Sequence, residues 1–164
     1  MYKYSFLAAA LAGAIMFAPC ASAQVATPMS QQSADMAASA PRDPALKPVF
    51  EQFGGKAGLV SLMNDFMDNL MADPRTHPYF APVDREHVKK ELVDQFCVIL
   101  DGPCSYTGRD MKSLHRGMGV DRAAFNALAE DLQTAMTKHK VPFRAQNKLL
   151  AKLAAMHGAI ITKK

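Results

Sequence analysis

The feature that most constrains this chain is a run of apolar side chains spaced by threes and fours and broken at short intervals by glycine or proline. Leu59, Leu62, Met63, Phe66, Met67 and Leu70 fall on one face of a helix expected from about Lys56 to Ala72. Asp73-Pro74 ends it, since proline neither donates to the helical ladder nor fits behind the preceding turn. Upstream, Val49, Phe50 and Phe53 predict a short helix stopped by Gly54-Gly55. Downstream, His77-Pro78-Tyr79-Phe80 reads as a tight apolar corner. Asp84 is placed to cap the next helix, on which Val88, Leu92, Gln95, Phe96 and Ile99 share a face before Asp101-Gly102-Pro103 closes it. A loop from Cys104 to Gly108 leads to a short helix holding Met111, Leu114, His115 and Met118, closed by Gly117 and Gly119. Two longer helices follow. The first runs from Val120-Asp121 to about Lys140 with Phe125, Leu128, Leu132 and Ala135 inward. The second starts at Pro142 and buries Leu149, Leu153, Met156 and Ile160. No strand-like alternation and no internal repeat interrupts this pattern, so the expected class is all-α.

Composition agrees and excludes other classes. Eleven methionines, abundant alanine and no tryptophan suit packed helices better than a β-sandwich. At 164 residues the chain has enough for one core and not for two. The formal charge of +4 is spread along the chain, with none of the basic patches and interleaved aromatics that nucleic acid requires.

Residues 1–23 have the form of a secretory signal: Lys3, an apolar stretch from Phe6 to Phe17, and small residues at Ala21-Ser22-Ala23. The apolar stretch is too short for a stable membrane span. The expected location is therefore the bacterial periplasm or the extracellular space. Residues 24–46, rich in Ser, Gln, Ala and Pro without apolar period, read as a disordered linker. The folded domain is expected over 47–162.

Chemistry-bearing motifs are few. There is no Cys-x-x-Cys-His for covalent haem attachment, no His-Glu-x-x-His, and no P-loop, dinucleotide fingerprint or nucleophile elbow. Paired carboxylates such as Asp65 and Asp68, or Glu130 and Asp131, read as solvated helix faces. Of the five histidines, His139 sits between lysines and reads as solvated, His157 as a surface residue, and His77 and His87 flank the apolar corner. His115 differs: it lies between Met111 and Met118 on the apolar side of a helix bounded by glycines. On spacing alone such a histidine is more often a satisfied core residue than a ligand.

Several short elements change that balance when taken in order: Phe53-Gly54-Gly55, Asp65-Phe66, Asp73-Pro74 through Phe80, Gly102-Pro103, Tyr106-Thr107-Gly108-Arg109-Asp110-Met111, and His115 with Gly117 and Gly119. From Phe50 to about Ile160 the chain resembles a group 1 truncated globin. The resemblance implies a two-over-two helical sandwich around a non-covalent haem b, with His115 as proximal iron ligand and Phe80 on the porphyrin face. Phe66, Met67, Met111, Val88, Leu92 and Gln95 would complete the cofactor pocket. It further implies reversible binding, and by extension transport, of oxygen or another diatomic gas such as NO or CO.

One departure from the family pattern concerns the polar groups expected opposite the proximal ligand. The position after Phe66, commonly tyrosine, is Met67, and the distal helix offers Val88 and Leu92, leaving Gln95 as the expected residual donor. Met67 reads as core packing, and His77 or His87 as the candidates for a second axial ligand. The alternative functions are an NO-dioxygenase or peroxidase-like enzyme, or an electron-transfer protein. Each needs a redox partner, since the chain has no flavin or iron–sulfur motif. A haem-free helical interaction module is a third alternative. Finally, export and loss of Cys20 would leave one cysteine pair, and the turn at Gly102-Pro103 predicts a disulfide between Cys97 and Cys104.

Overall fold

The computed structural model describes residues 38–163, so the expected signal at 1–23 lies outside the described residues. A 3-10 turn, Pro44–Leu46, leads into α1, Lys47–Gln52. Then come α2 (Gly55–Ala72), the single-turn α3 (His77–Phe80) and α4 (Arg85–Ile99). They are followed by α5 (Met111–His115), α6 (Arg122–Lys138), α7 (Phe143–Ala154) and α8 (His157–Ile160). No strand occurs among the described residues.

The starts of α4, α5 and α6 are fixed by the same device. Asp84 accepts from the amides of Glu86 and His87, Asp110 from that of Ser113, and Asp121 from that of Ala124. Each carboxylate satisfies amides that the helix leaves without partners and places negative charge at its positive end.

The apolar stripe of α2 is the centre of the core. Leu59, Leu62, Met63, Phe66 and Leu70 are almost wholly excluded from solvent, and α2 packs against both α4 and α6. From α4 and the residue after it come Phe96, Ile99 and Leu100; from α6, Leu132, Ala135 and Met136; from α7, Leu149. The helix α7 closes the second pair by packing on α6 and touching α4. This is a two-over-two sandwich of α2 with α4 and α6 with α7. The short α5 stands apart, resting chiefly on α8. The segment after α8 is tied to the chain just ahead of α6, because Thr162 and Lys163 donate to the Val120 carbonyl at 2.9 and 3.0 Å.

Several expectations are corrected. The segment read as linker is packed at its C-terminal end: Ser39, Ala40 and Leu46 are buried, and Asp43 caps the 3-10 turn. His139 is not solvated, since its Nε2 lies 2.7 Å from Asp65 Oδ2, with Lys138 Nζ 2.7 Å from the other oxygen. Asp65 therefore links α2 to α6. Asp131 is buried rather than solvated, 3.2 Å from the Thr76 hydroxyl. Met118, expected inward with His115, is exposed. The last helix breaks after Ala154, which leaves Leu153 and Ile160 only partly covered.

Candidate functional site

Between α4 and α5 the chain makes a reinforced turn. Cys97, in the last turn of α4, and Cys104 are joined by a disulfide with their Cα atoms 5.8 Å apart. Gly102 is required there by close approach: a Cβ on it would lie 2.6 Å from both Cys97 Sγ and the Phe50 ring. Arg42 clamps the same turn, donating to the carbonyls of Gly102 and Cys104 at 3.0 Å each and to Asp101 at 2.9 Å. Farther along the loop, Tyr106 donates to the Arg109 carbonyl at 2.7 Å. Burial, with help from the charge of Glu91, pushes the Tyr106 phenol up to about 12, so it stays neutral.

This loop delivers His115. Its Nδ1 lies 2.8 Å from the Met111 carbonyl. A carbonyl can only accept, so the proton belongs on Nδ1 and Nε2 keeps its lone pair. Burial lowers the pKa of the ring, more than the Met111 carbonyl raises it, which favours the neutral form a metal ligand needs. Gly117 and Gly119, at φ 79° and 67°, turn the chain sharply away behind the histidine.

The other candidate pocket residues, Gln95 excepted, are apolar. Phe66, Met67 and Met111 are buried in the main core, and Phe80, Val88 and Leu92 are half-buried against it. The Phe80 corner is held by Thr76, whose hydroxyl donates to the Leu70 carbonyl at 2.8 Å. A cleft of about 370 Å³ between α2 and α4 is lined by Met67 and Met71 and rimmed by Asn64, Asp68, Arg85, Glu86 and Lys89. Lys89 spans this rim, 2.9 Å from Asn64 Oδ1 and 2.7 Å from Glu86.

Residues 48–162 match the profile of the bacterial-like globin family. The chain belongs to this family. A group 1 truncated hemoglobin from Synechocystis sp. is 30% identical over 119 residues, covering 68% of this chain and 90% of that protein. Truncated hemoglobin from Tetrahymena pyriformis superposes with a TM-score of 0.67 at 24% identity, over 70% of this chain and 98% of that one. The 2/2 hemoglobin of Synechococcus sp., described with covalently attached heme, gives a TM-score of 0.63 at 20% identity, over 68% and 97% of the two chains. As a globin, the chain belongs to a family of haem-based gas binders.

The donor set of this globin fits that cofactor. His115 offers one free imidazole nitrogen on a ring fixed through the other, the arrangement that orients a histidine toward iron. Phe80, Val88, Leu92, Phe66, Met67 and Met111 supply apolar surface of the kind a porphyrin packs on. Among the described residues no cluster of three or more His, Cys, Asp or Glu side chains offers a competing metal site.

The side chain expected as the residual donor is taken up elsewhere. Gln95 is buried, but its amide donates to the Ser39 carbonyl at 2.6 Å and lies 3.7 Å from Met111 Sδ. It shares a stripe with Val88 and Leu92, yet one further turn carries it to the level of α5, where it is taken up. His77 and His87 are both exposed. His157 is exposed as expected, edge-on to Phe125.

Two features escaped the sequence reading. Glu91 lies on the Val88–Leu92–Gln95 stripe, and one of its carboxylate oxygens is buried without a hydrogen-bond partner, against Gly108 and Tyr106. Its spacing from Val88 and Gln95 is the available signal, masked because a helical glutamate is ordinarily solvated. Ser39 and Arg42 gave no signal at all, because they act from a segment without apolar period.

Proposed function

We propose that this globin is an exported protein that reversibly binds and carries a diatomic gas, oxygen, NO or CO, at a non-covalently held haem b ligated by His115. The observation that carries the reading is the Nδ1–H bond from His115 to the Met111 carbonyl, which leaves Nε2 as a free, oriented donor. Haem, when bound, supplies an iron with an open coordination position for a small gas. His115 contributes the lone pair and Met111 holds its ring. Phe80 and Leu92 exclude water with the buried Met67 and Phe66. Among Phe66, Met67, Phe80 and Leu92 none carries a hydrogen-bond donor, so bound oxygen is released quickly, whereas CO, which gains little from a donor, is not. No Cys-x-x-Cys-His is available for attachment through that motif, in keeping with non-covalent haem.

Export is supported by the signal-like residues 1–23 and by the Cys97–Cys104 disulfide, a bond that persists in oxidising compartments. The test is a haem titration of the mature protein followed by reduction and exposure to CO. A stoichiometric Soret band that shifts with CO and returns when CO is removed is the expected result. A chain that leaves haem free in solution would overturn the reading.

A further inference from the structure

We infer that Ser39, from the segment ahead of the globin domain, is a positioning residue for His115. This inference rests on the reading of His115 as the haem ligand. Ser39 lies outside the stretch that matches the family, which begins at residue 48. It nevertheless touches both helices that bound the site. Its Oγ accepts the Met111 amide at 2.9 Å, and its carbonyl accepts the Gln95 side-chain amide at 2.6 Å. Ser39 thereby joins α4 to the first residue of α5, reinforcing the direct approach of the Gln95 amide to Met111 Sδ at 3.7 Å.

The connection reaches the histidine in one further step. The Met111 peptide whose amide is held by Ser39 belongs to the residue whose carbonyl accepts His115 Nδ1–H at 2.8 Å. Fixing Met111 at its nitrogen limits the rotation of the carbonyl that sets the ring. Ser39 is buried, so water does not compete for these bonds. The segment is anchored independently on the disulfide turn. Arg42 holds Asp101 and the carbonyls of Gly102 and Cys104, the Asp43 amide donates to the Ile99 carbonyl, and Asp43 accepts Lys152 at 2.7 Å. The extension is thus a strap fastened at one end on the turn and at the other on α5.

The experiment compares Ser39→Ala and Ser39→Thr with wild type in the mature chain. The iron–histidine stretching band of the reduced, haem-loaded protein should shift or broaden in Ser39→Ala. Loss of haem to an excess of acceptor globin should be about fivefold faster, the worth of one buried hydrogen bond. Ser39→Thr, which keeps the hydroxyl, should restore both. An unchanged band and haem-loss rate in Ser39→Ala would overturn the inference. Should Ser39→Ala fold poorly, Gln95→Leu removes the other arm of the same tie and should move the band in the same way. The Met111 amide gives a readout that needs no haem: slow hydrogen exchange in the wild type supports the tie, and fast exchange overturns it. Failure of the wild type to take up haem would therefore count against the proposed function and not against the contact.

Discussion

The two walls of the site are built by opposite means. On the His115 side, position comes from directional bonds: a disulfide, an Arg42 clamp, the Asp110 cap, and a carbonyl that fixes one ring nitrogen. On the proposed opposite side, Met67, Val88 and Leu92 are held by packing against the core, with no polar group of their own. Directional bonds specify an angle, which a metal ligand needs, whereas close packing specifies a volume, which an apolar cofactor face and a small gas need. The difference assigns orientation to one wall and permissiveness to the other.

The largest effect should come from removing His115, the directional group proposed to hold the cofactor. His115→Ala should abolish stable haem uptake, with partial recovery on adding free imidazole, read from the Soret band. His77→Ala, His87→Ala and His157→Ala should leave that band unchanged, since all three side chains face solvent. Normal haem retention in His115→Ala would erase the distinction between the walls.

Next in size is the disulfide, the covalent part of the directional wall. Replacing Cys97 and Cys104 together by alanine should lower the stability of the haem-free protein by ~2.5 kcal/mol, the loop-closure entropy of a short ring. Urea unfolding of the oxidised wild type against the double variant measures it. A midpoint that does not move would mean that Arg42 and the buried Gly102 contacts hold the turn without the bond.

The two walls also differ in how far they could be read from sequence. The packed wall was legible, because spacing by threes and fours places Leu59 through Leu70, and Val88 with Leu92, on faces that must be buried wherever they meet. Helix ends marked by Asp84 and Gly54-Gly55 were legible for the same local reason. The directional wall was legible only where it is local, as in the short ring from Cys97 to Cys104. Ser39 reaches Met111 and Arg42 reaches Gly102 across long stretches of chain, and nothing in a polar segment without period announces such partners. Gln95 illustrates the limit: its face was readable, but the partner that claims its amide was not.

A third experiment gives the permissive wall a directional group. Met67→Tyr places a hydroxyl at a buried position among the apolar residues. It should slow the release of oxygen about tenfold, the effect of a hydrogen bond of about 1.5 kcal/mol. CO release should change much less, because CO gains little from a donor. Stopped-flow displacement of each gas separates the two. Equal slowing of both would point to blocked escape past the larger side chain rather than to a new bond.

The smallest effect concerns a buried carboxyl next to the corner that carries Phe80. Asp131 on α6 lies 3.2 Å from the hydroxyl of Thr76, the residue that precedes α3 and so sets the corner carrying Phe80. That hydroxyl has a single proton and is also 2.8 Å from the Leu70 carbonyl. Shared between the Leu70 carbonyl and Asp131 Oδ2, that one proton gives the Asp131 carboxylate only partial support. Burial raises the Asp131 pKa, outweighing the Thr76 contact that lowers it, and the charge of Asp73 adds to the rise. A carboxyl whose pKa is higher folded than unfolded stabilises the fold fully below its unfolded value. That contribution is lost as pH climbs through the folded value. The wild type should therefore lose stability between the ordinary carboxylate range and the raised folded pKa. Asp131→Asn, which keeps a donor facing Thr76 and carries no charge, should flatten that slope. Thermal melts of the haem-free protein across this range, at fixed ionic strength, provide the comparison. A slope identical in both proteins would mean that the Phe80 corner is held by the Thr76 bond to Leu70 and by packing, without a contribution from the ionisation of Asp131.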